Sequence, residues 1–230
     1  MHASSAQARP VLHGYRHSIY SWIVRLTLAE KGQDWDWVEV NPFADPQAAR
    51  ARHPFARVPV LLHDGLSLYE TAAIAAYVDE ALSGPPLQPA DPRARARMRQ
   101  IIGLADSYAY WPLVRQVYAH KVFPMREEGR EGDKAEARAG LTAARPVLDA
   151  LEAIVASGQA PGPWLVSETP TLADLHLAPM VAAFAEAPQG GALLAGRRRM
   201  AAWMEAMRAR PAFQATTPWA ARRGPLGAGR

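Results

Sequence analysis

Two short stretches of this sequence carry residue types at spacings that could do chemistry. The first is Tyr15-Arg16-His17-Ser18-Ile19-Tyr20-Ser21-Trp22, which leads from an apolar run into a helical pattern. It brings several hydroxyls to the start of a helix. A hydroxyl there can donate to a nearby sulfur, and the helix dipole reinforces it, so a thiol held there loses its proton more readily. The second stretch begins at Arg57-Val58-Pro59 and ends at Glu70-Thr71. A proline directly before a strand cannot donate to the ladder. With its peptide bond cis, it turns the preceding residue outward and leaves that residue's N–H and C=O free. Val58 would then offer a strand-like edge to an extended peptide. At the far end, Glu70 can hold an ammonium, while the free N–H groups of a helix starting at Thr71 favour a carboxylate. A ligand held at both ends is a short peptide with a free amino-acid head.

The surrounding pattern supplies elements that can position these groups. A strand is expected over 11–15. A helix over 18–31 follows, with Ile19, Trp22, Ile23 and Leu26 on one side and Gly32 as its C-terminal stop. Residues 34–41 alternate polar and apolar, as a half-buried strand does, and 46–52 reads as a short polar helix. Val60 to Leu62 is a short apolar run, Asp64-Gly65 is a strong two-residue hairpin turn, and the chain returns through Leu66 and Leu68. Ile74, Tyr77 and Val78 then have helical spacing. The resulting order, β-α-β-α-β-β-α, fits a small α/β sheet with helices on its faces. The Pro/Gly-dense segment 83–91 reads as a linker. After it come only helical patterns, over 92–120, 133–157, 171–184 and 197–209. The expected organisation is an unstructured N-terminus (1–10), an α/β domain (11–82), the linker, an all-α domain (92–219) and a flexible tail (220–230).

On Arg57-Val58-Pro59, Glu70-Thr71 and Ala73-Ile74 the chain resembles the cytosolic glutathione transferase family, from Val11 to about Trp219. The resemblance implies a thioredoxin-like N-terminal domain followed by an all-α C-terminal domain. It also implies that glutathione binds as co-substrate and that its thiol is transferred to small apolar electrophiles. In serine-type members the catalytic serine opens the turn into the first helix. Ser18, with Trp22 and Val24-Arg25 downstream, looks like that arrangement, most like the zeta class. Ile19, Tyr20 and Ile23 depart from the zeta pattern. Tyrosine-type members place the hydroxyl at the end of the first strand, which makes Tyr15 the alternative donor. The remaining assignments implied are His17, Arg57, Val58, Pro59, Glu70 and Thr71 for glutathione. Tyr108, Trp111, Arg115 and Tyr118 are expected at the electrophile pocket, and Phe55 in a homodimer contact. A glutathione-dependent isomerase or peroxidase, and a non-catalytic binding module of the same fold, are the competing readings.

Composition narrows the classes. The chain has 230 residues, no cysteine and a formal charge of +4. Without cysteine there is no disulfide, no thiolate metal site and no cysteine nucleophile on the protein. The small, dispersed charge gives no nucleic-acid arm, and Arg222-Arg223 falls in the tail. No apolar run is long enough to cross a bilayer, and the N-terminus lacks a signal peptide's apolar core, so a cytoplasmic protein is expected. His13 and His17 have ligand spacing but no third partner, so no metal site is expected. Thr171 and Asp174 have capping-box spacing, a folding role. Pro112, inside a helical pattern, predicts a kink or a break.

Overall fold

The computed structural model of this chain describes residues 8–125, 129–157 and 162–219. The expectations for the first seven residues and for 220–230 lie outside the described residues. Two compact units are present: 8–85 with 215–219, and 86–214.

The first unit is a thioredoxin-like layer of sheet and helix. Strands β1 (Val11–Gly14), β2 (Asp36–Glu39), β3 (Val60–His63) and β4 (Leu66–Tyr69) form one sheet in the order β2-β1-β3-β4. β1 runs parallel to β2, which requires a crossover, and helix α1 (Ile19–Glu30) supplies it. β3 is antiparallel to both β1 and β4. Asp64 and Gly65 both have positive φ, 47° and 79°, the geometry of a tight hairpin turn. Leu12, Val24, Leu28, Leu61, Ile74, Val78 and Leu82 form the core between the sheet, α1 and helix α3 (Thr71–Ala81). Helix α2 (Pro46–Arg50) is capped by Asp45.

α1 is buried on nearly every side, as an internal helix must be. Gly32 leaves it at φ 68°, the left-handed exit that glycine adopts without strain. The buried Lys31 ammonium next to it donates to Asp79 Oδ1 at 3.0 Å and to the Pro85 carbonyl at 3.0 Å. All three of its N–H groups can be used in this way, which offsets its desolvation. The last described residues return to this unit. Trp22 Nε1 donates to Thr216 Oγ1 at 3.1 Å, and the Trp22 ring meets the edge of Trp219 at 5.3 Å. The expected boundary had placed 215–219 with the helices.

The second unit is all helical: α4 (Pro92–Leu104), a π-helical segment Ala105–Tyr118, α5 (Ala119–Lys121), α6 (Lys134–Ser157), α7 (Leu172–Ala185), α8 (Pro188–Ala195), α9 (Arg198–Arg208) and α10 (Pro211–Thr216), which runs on into the first unit. α8 and α10 were not expected from the sequence. Of the kink or break expected at Pro112, no break occurs, and the departure from regular α geometry takes another form. The chain shifts to the wider π winding at Ala105 and stays helical past the proline. That winding leaves room where an α-helix would press the ring against the carbonyl one turn back. α6 packs on this segment through Ala137, Gly140, Ala144, Leu148 and Leu151. A Cβ at Gly140 would lie 2.6 Å from Gln116 Cβ, so only glycine permits the approach. Leu141 and Ile154 lie half-exposed, and the buried face combines small residues with Leu148 and Leu151.

Candidate functional site

The turn between β1 and α1 is held from beneath. A Cβ at Gly14 would meet the Trp37 ring at 2.6 Å and Ser21 Oγ at 2.9 Å, so β1 must end in glycine. The fully buried Ser21 hydroxyl accepts the Tyr15 N–H at 3.3 Å. Glu39 accepts the Arg16 N–H at 3.1 Å and the Trp37 Nε1–H at 2.9 Å. Arg25 is 2% exposed, donates to the Arg16 carbonyl at 3.3 Å and lies over the Trp37 ring at 5.4 Å. Burial pulls its guanidinium down to about 10, against the opposing charge of Glu39. Ser21, Arg25 and Glu39 were not recognised in the sequence as supports of this turn, because their partners come from separate elements.

On this support sits Ser18. Its backbone is extended, and its Oγ accepts the Ser21 N–H at 3.2 Å, a helix N-cap. Its N–H donates to the Tyr15 carbonyl at 2.9 Å. A hydroxyl that accepts one bond still has its own proton to donate, and among the described residues nothing takes it. Tyr15 is half-buried, with its ring edge-on to His17 at 5.2 Å and to Phe43 at 6.2 Å. His13 is buried on β1, where desolvation and then Arg52 lower its basicity. Among the described residues, no group of three or more His, Asp or Glu side chains could hold a metal.

The second stretch has the expected local geometry. The Val58-Pro59 bond is cis. Val58 precedes β3, and among the described residues its N–H and C=O have no partner. Glu70 has φ 70°, a region that strains any residue with a Cβ. It stands at the N-cap of α3 yet makes no capping bond, and its side chain is 68% exposed. The first N–H groups of α3, from the buried Thr71 onward, have no intrahelical acceptor. Arg57 and Phe55 are exposed on the intervening loop. Beneath them is His53, which the sequence reading did not single out.

Of the aromatic wall, Tyr108 and Trp111 are exposed, and so is Arg115. Tyr118 is buried against Phe123, with ring centres 6.3 Å apart. In the same unit Asp174 accepts from Thr171 N and Oγ1, closing the expected capping box.

Residues 12–86 match the family described as glutathione S-transferase, N-terminal domain, and residues 116–206 match its C-terminal domain. The chain is 32% identical to a maleylacetoacetate isomerase from Rattus norvegicus, over 76% of this chain and 77% of that one. It is 33% identical to a glutathione S-transferase from Pseudomonas putida, over 71% and 70% of the two chains. Among solved structures it superposes on a maleyl pyruvate isomerase described as a bacterial glutathione S-transferase of the zeta class. That match has a TM-score of 0.75 and 26% identity, over 91% of this chain and 97% of that one.

Proposed function

The chain belongs to the glutathione S-transferase family, and from that premise we propose a cytoplasmic enzyme that adds the thiol of reduced glutathione to small apolar electrophiles. The observation that carries this reading is Ser18, a cap whose oxygen is engaged and whose proton is left to donate. In the proposed complex glutathione lies extended along Val58. Its ammonium meets Glu70, its adjacent carboxylate meets the first N–H groups of α3 at Thr71, and its glycine carboxylate meets Arg57, with His17 alongside. The cis Pro59 sets the direction of Val58. The Ser18 hydroxyl then donates to the sulfur and stabilises the thiolate. Only the thiolate attacks: its electron pair forms the new carbon–sulfur bond as the leaving group departs or the acceptor double bond shifts. Tyr108, Trp111 and Arg115 are the proposed electrophile contacts.

A second reading is favoured by the relative named maleylacetoacetate isomerase. There the thiolate would add to a conjugated cis double bond, rotation would follow, and expulsion would return free glutathione. Both chemistries use the same thiolate. An assay panel of an aryl halide, maleylacetone and cumene hydroperoxide separates them. The transferase reading expects turnover of the aryl halide with consumption of glutathione. Turnover of maleylacetone alone, with glutathione unspent, replaces it by the isomerase, and turnover of the hydroperoxide alone by a peroxidase.

The proposed assembly is a homodimer. Phe55 is 69% exposed at the tip of its loop, and burying it against a second copy would contribute roughly 2–3 kcal/mol. Phe55→Ser is expected to shift the mass read by size-exclusion chromatography with light scattering toward the monomer. A wild type that is already monomeric ends this part of the proposal.

A further inference from the structure

His53 is 3% exposed beneath the loop that carries Phe55, Arg57 and Val58. Its Nδ1 accepts the Phe55 N–H at 3.1 Å, and its carbonyl accepts the Ala56 N–H at 2.9 Å. A ring nitrogen that accepts holds no proton, so the neutral ring with this bond carries its N–H on Nε2. Nε2 lies 4.0 Å from Oε1 of Glu70. The ring is held in place by Tyr69, with centroids 4.7 Å apart, and by Phe55 at 5.9 Å. Glu70 makes no capping bond and, among the described residues, no ion pair with a lysine or arginine. A long, largely exposed carboxylate of this kind would otherwise sample many rotamers.

We infer that His53 is a positioning residue for the amino-acid head of the peptide ligand: one imidazole holds the turn bearing Val58 and presents an N–H toward the carboxylate of Glu70. Nδ1 holds the turn, and the Nε2–H, 4.0 Å from one oxygen of Glu70 and short of a hydrogen bond in the free protein, closes on that oxygen when the ammonium takes the other. The groups that receive the ligand's backbone and its charged head thereby share one support. The inference rests on the reading of Glu70 as the ammonium's partner. The charged groups facing the ring are Glu70, which favours its protonation, and Arg57, which opposes it. Burial, reinforced by Arg57, outweighs Glu70 and lowers the ring's pKa from the ordinary histidine value, so the ring is neutral near pH 7.

Two substitutions separate the two nitrogens. Asparagine places an acceptor near the Nδ1 position and nothing near Nε2. Glutamine reaches the Nε2 position with an amide donor. In the full-length protein, His53→Asn is expected to raise KM for glutathione about three- to tenfold, with kcat at saturating glutathione retained. His53→Gln is expected to recover most of that KM. In a Glu70→Ala background, His53→Asn should add no further loss, because the two residues act as one. Nitrogen NMR of the wild-type imidazole should show the proton on Nε2, a readout that needs no variant to fold. An unchanged KM in His53→Asn, an equal loss in both variants, an additive loss in the Glu70→Ala background, or a proton on Nδ1 each overturns the inference. A Glu70→Ala protein with wild-type glutathione affinity is a different failure, that of the underlying reading of Glu70.

Discussion

Asp174→Ala is expected to cost the fold about 4 kcal/mol or more, the largest stability loss of any single substitution considered for this chain. Asp174 is fully buried. Its Oδ1 accepts from Leu165 N at 2.9 Å and Trp203 Nε1 at 2.9 Å, and its Oδ2 accepts from Thr171 N at 2.7 Å and Thr171 Oγ1 at 2.8 Å. Burial pushes the carboxyl up from its ordinary range, and the donated hydrogen bonds pull it back. Alanine removes the common acceptor and strands four buried donors, each costing about 1–3 kcal/mol if nothing replaces it. Relaxation and entering water reduce the sum, hence the lower figure. Denaturant unfolding should show a much lower midpoint at an unchanged slope. Asp174→Asn keeps an acceptor for Leu165 and Trp203 and should lose less. A cost below about 1 kcal/mol for Asp174→Ala would show that these bonds do not hold the helices together.

Glu70→Ala is expected to weaken glutathione binding by about 2–4 kcal/mol, roughly thirty- to a thousandfold, because the ammonium loses its partner. The substitution is a clean one for the backbone. Alanine at φ 70° has a Cβ and keeps the strain that glutamate bears there. Glu70→Gly would relieve that strain, so it should match alanine in lost affinity while raising the unfolding midpoint. Titration calorimetry with glutathione and a thermal melt read the two effects separately. An unchanged affinity in Glu70→Ala removes the residue from the ammonium site.

The parts of this molecule that were legible in the sequence are those set by neighbours in the chain. Asp64-Gly65 permits a two-residue turn with both φ positive, and the structure uses it. Val58-Pro59 stands ahead of a short apolar strand, Gly32 ends α1, and Thr71 opens α3. Thr171 and Asp174 are one helical turn apart, so their box could be read locally. What escaped depends on contacts across the fold. Leu165 and Trp203 reach Asp174 from separate segments, and no spacing rule points to them. His53 meets Glu70 only because the hairpin brings the β4 end back to the loop. Helical spacing does not point to Gly140 on the inner face of α6, where close approach rather than hydropathy decides the residue. Pro112 predicted a kink or a break on α geometry, and the π winding changes what the ring meets.

The proposed role of Ser18 is to make the sulfur of bound glutathione a thiolate. Its most direct test is a pH titration of the bound thiol by its ultraviolet thiolate absorbance, in the wild type, Ser18→Ala and Tyr15→Phe. An ordinary thiol ionises near pH 8.5. The wild-type complex should ionise well below that. Ser18→Ala should move the midpoint back up by about one to two units, since a charge-assisted hydrogen bond of roughly 1.5–3 kcal/mol is lost at about 1.4 kcal/mol per unit. The same loss should slow turnover roughly ten- to a hundredfold while glutathione stays bound. If Ser18→Ala leaves the midpoint where it was and Tyr15→Phe raises it, the donor is the tyrosine and the assignment to Ser18 is wrong.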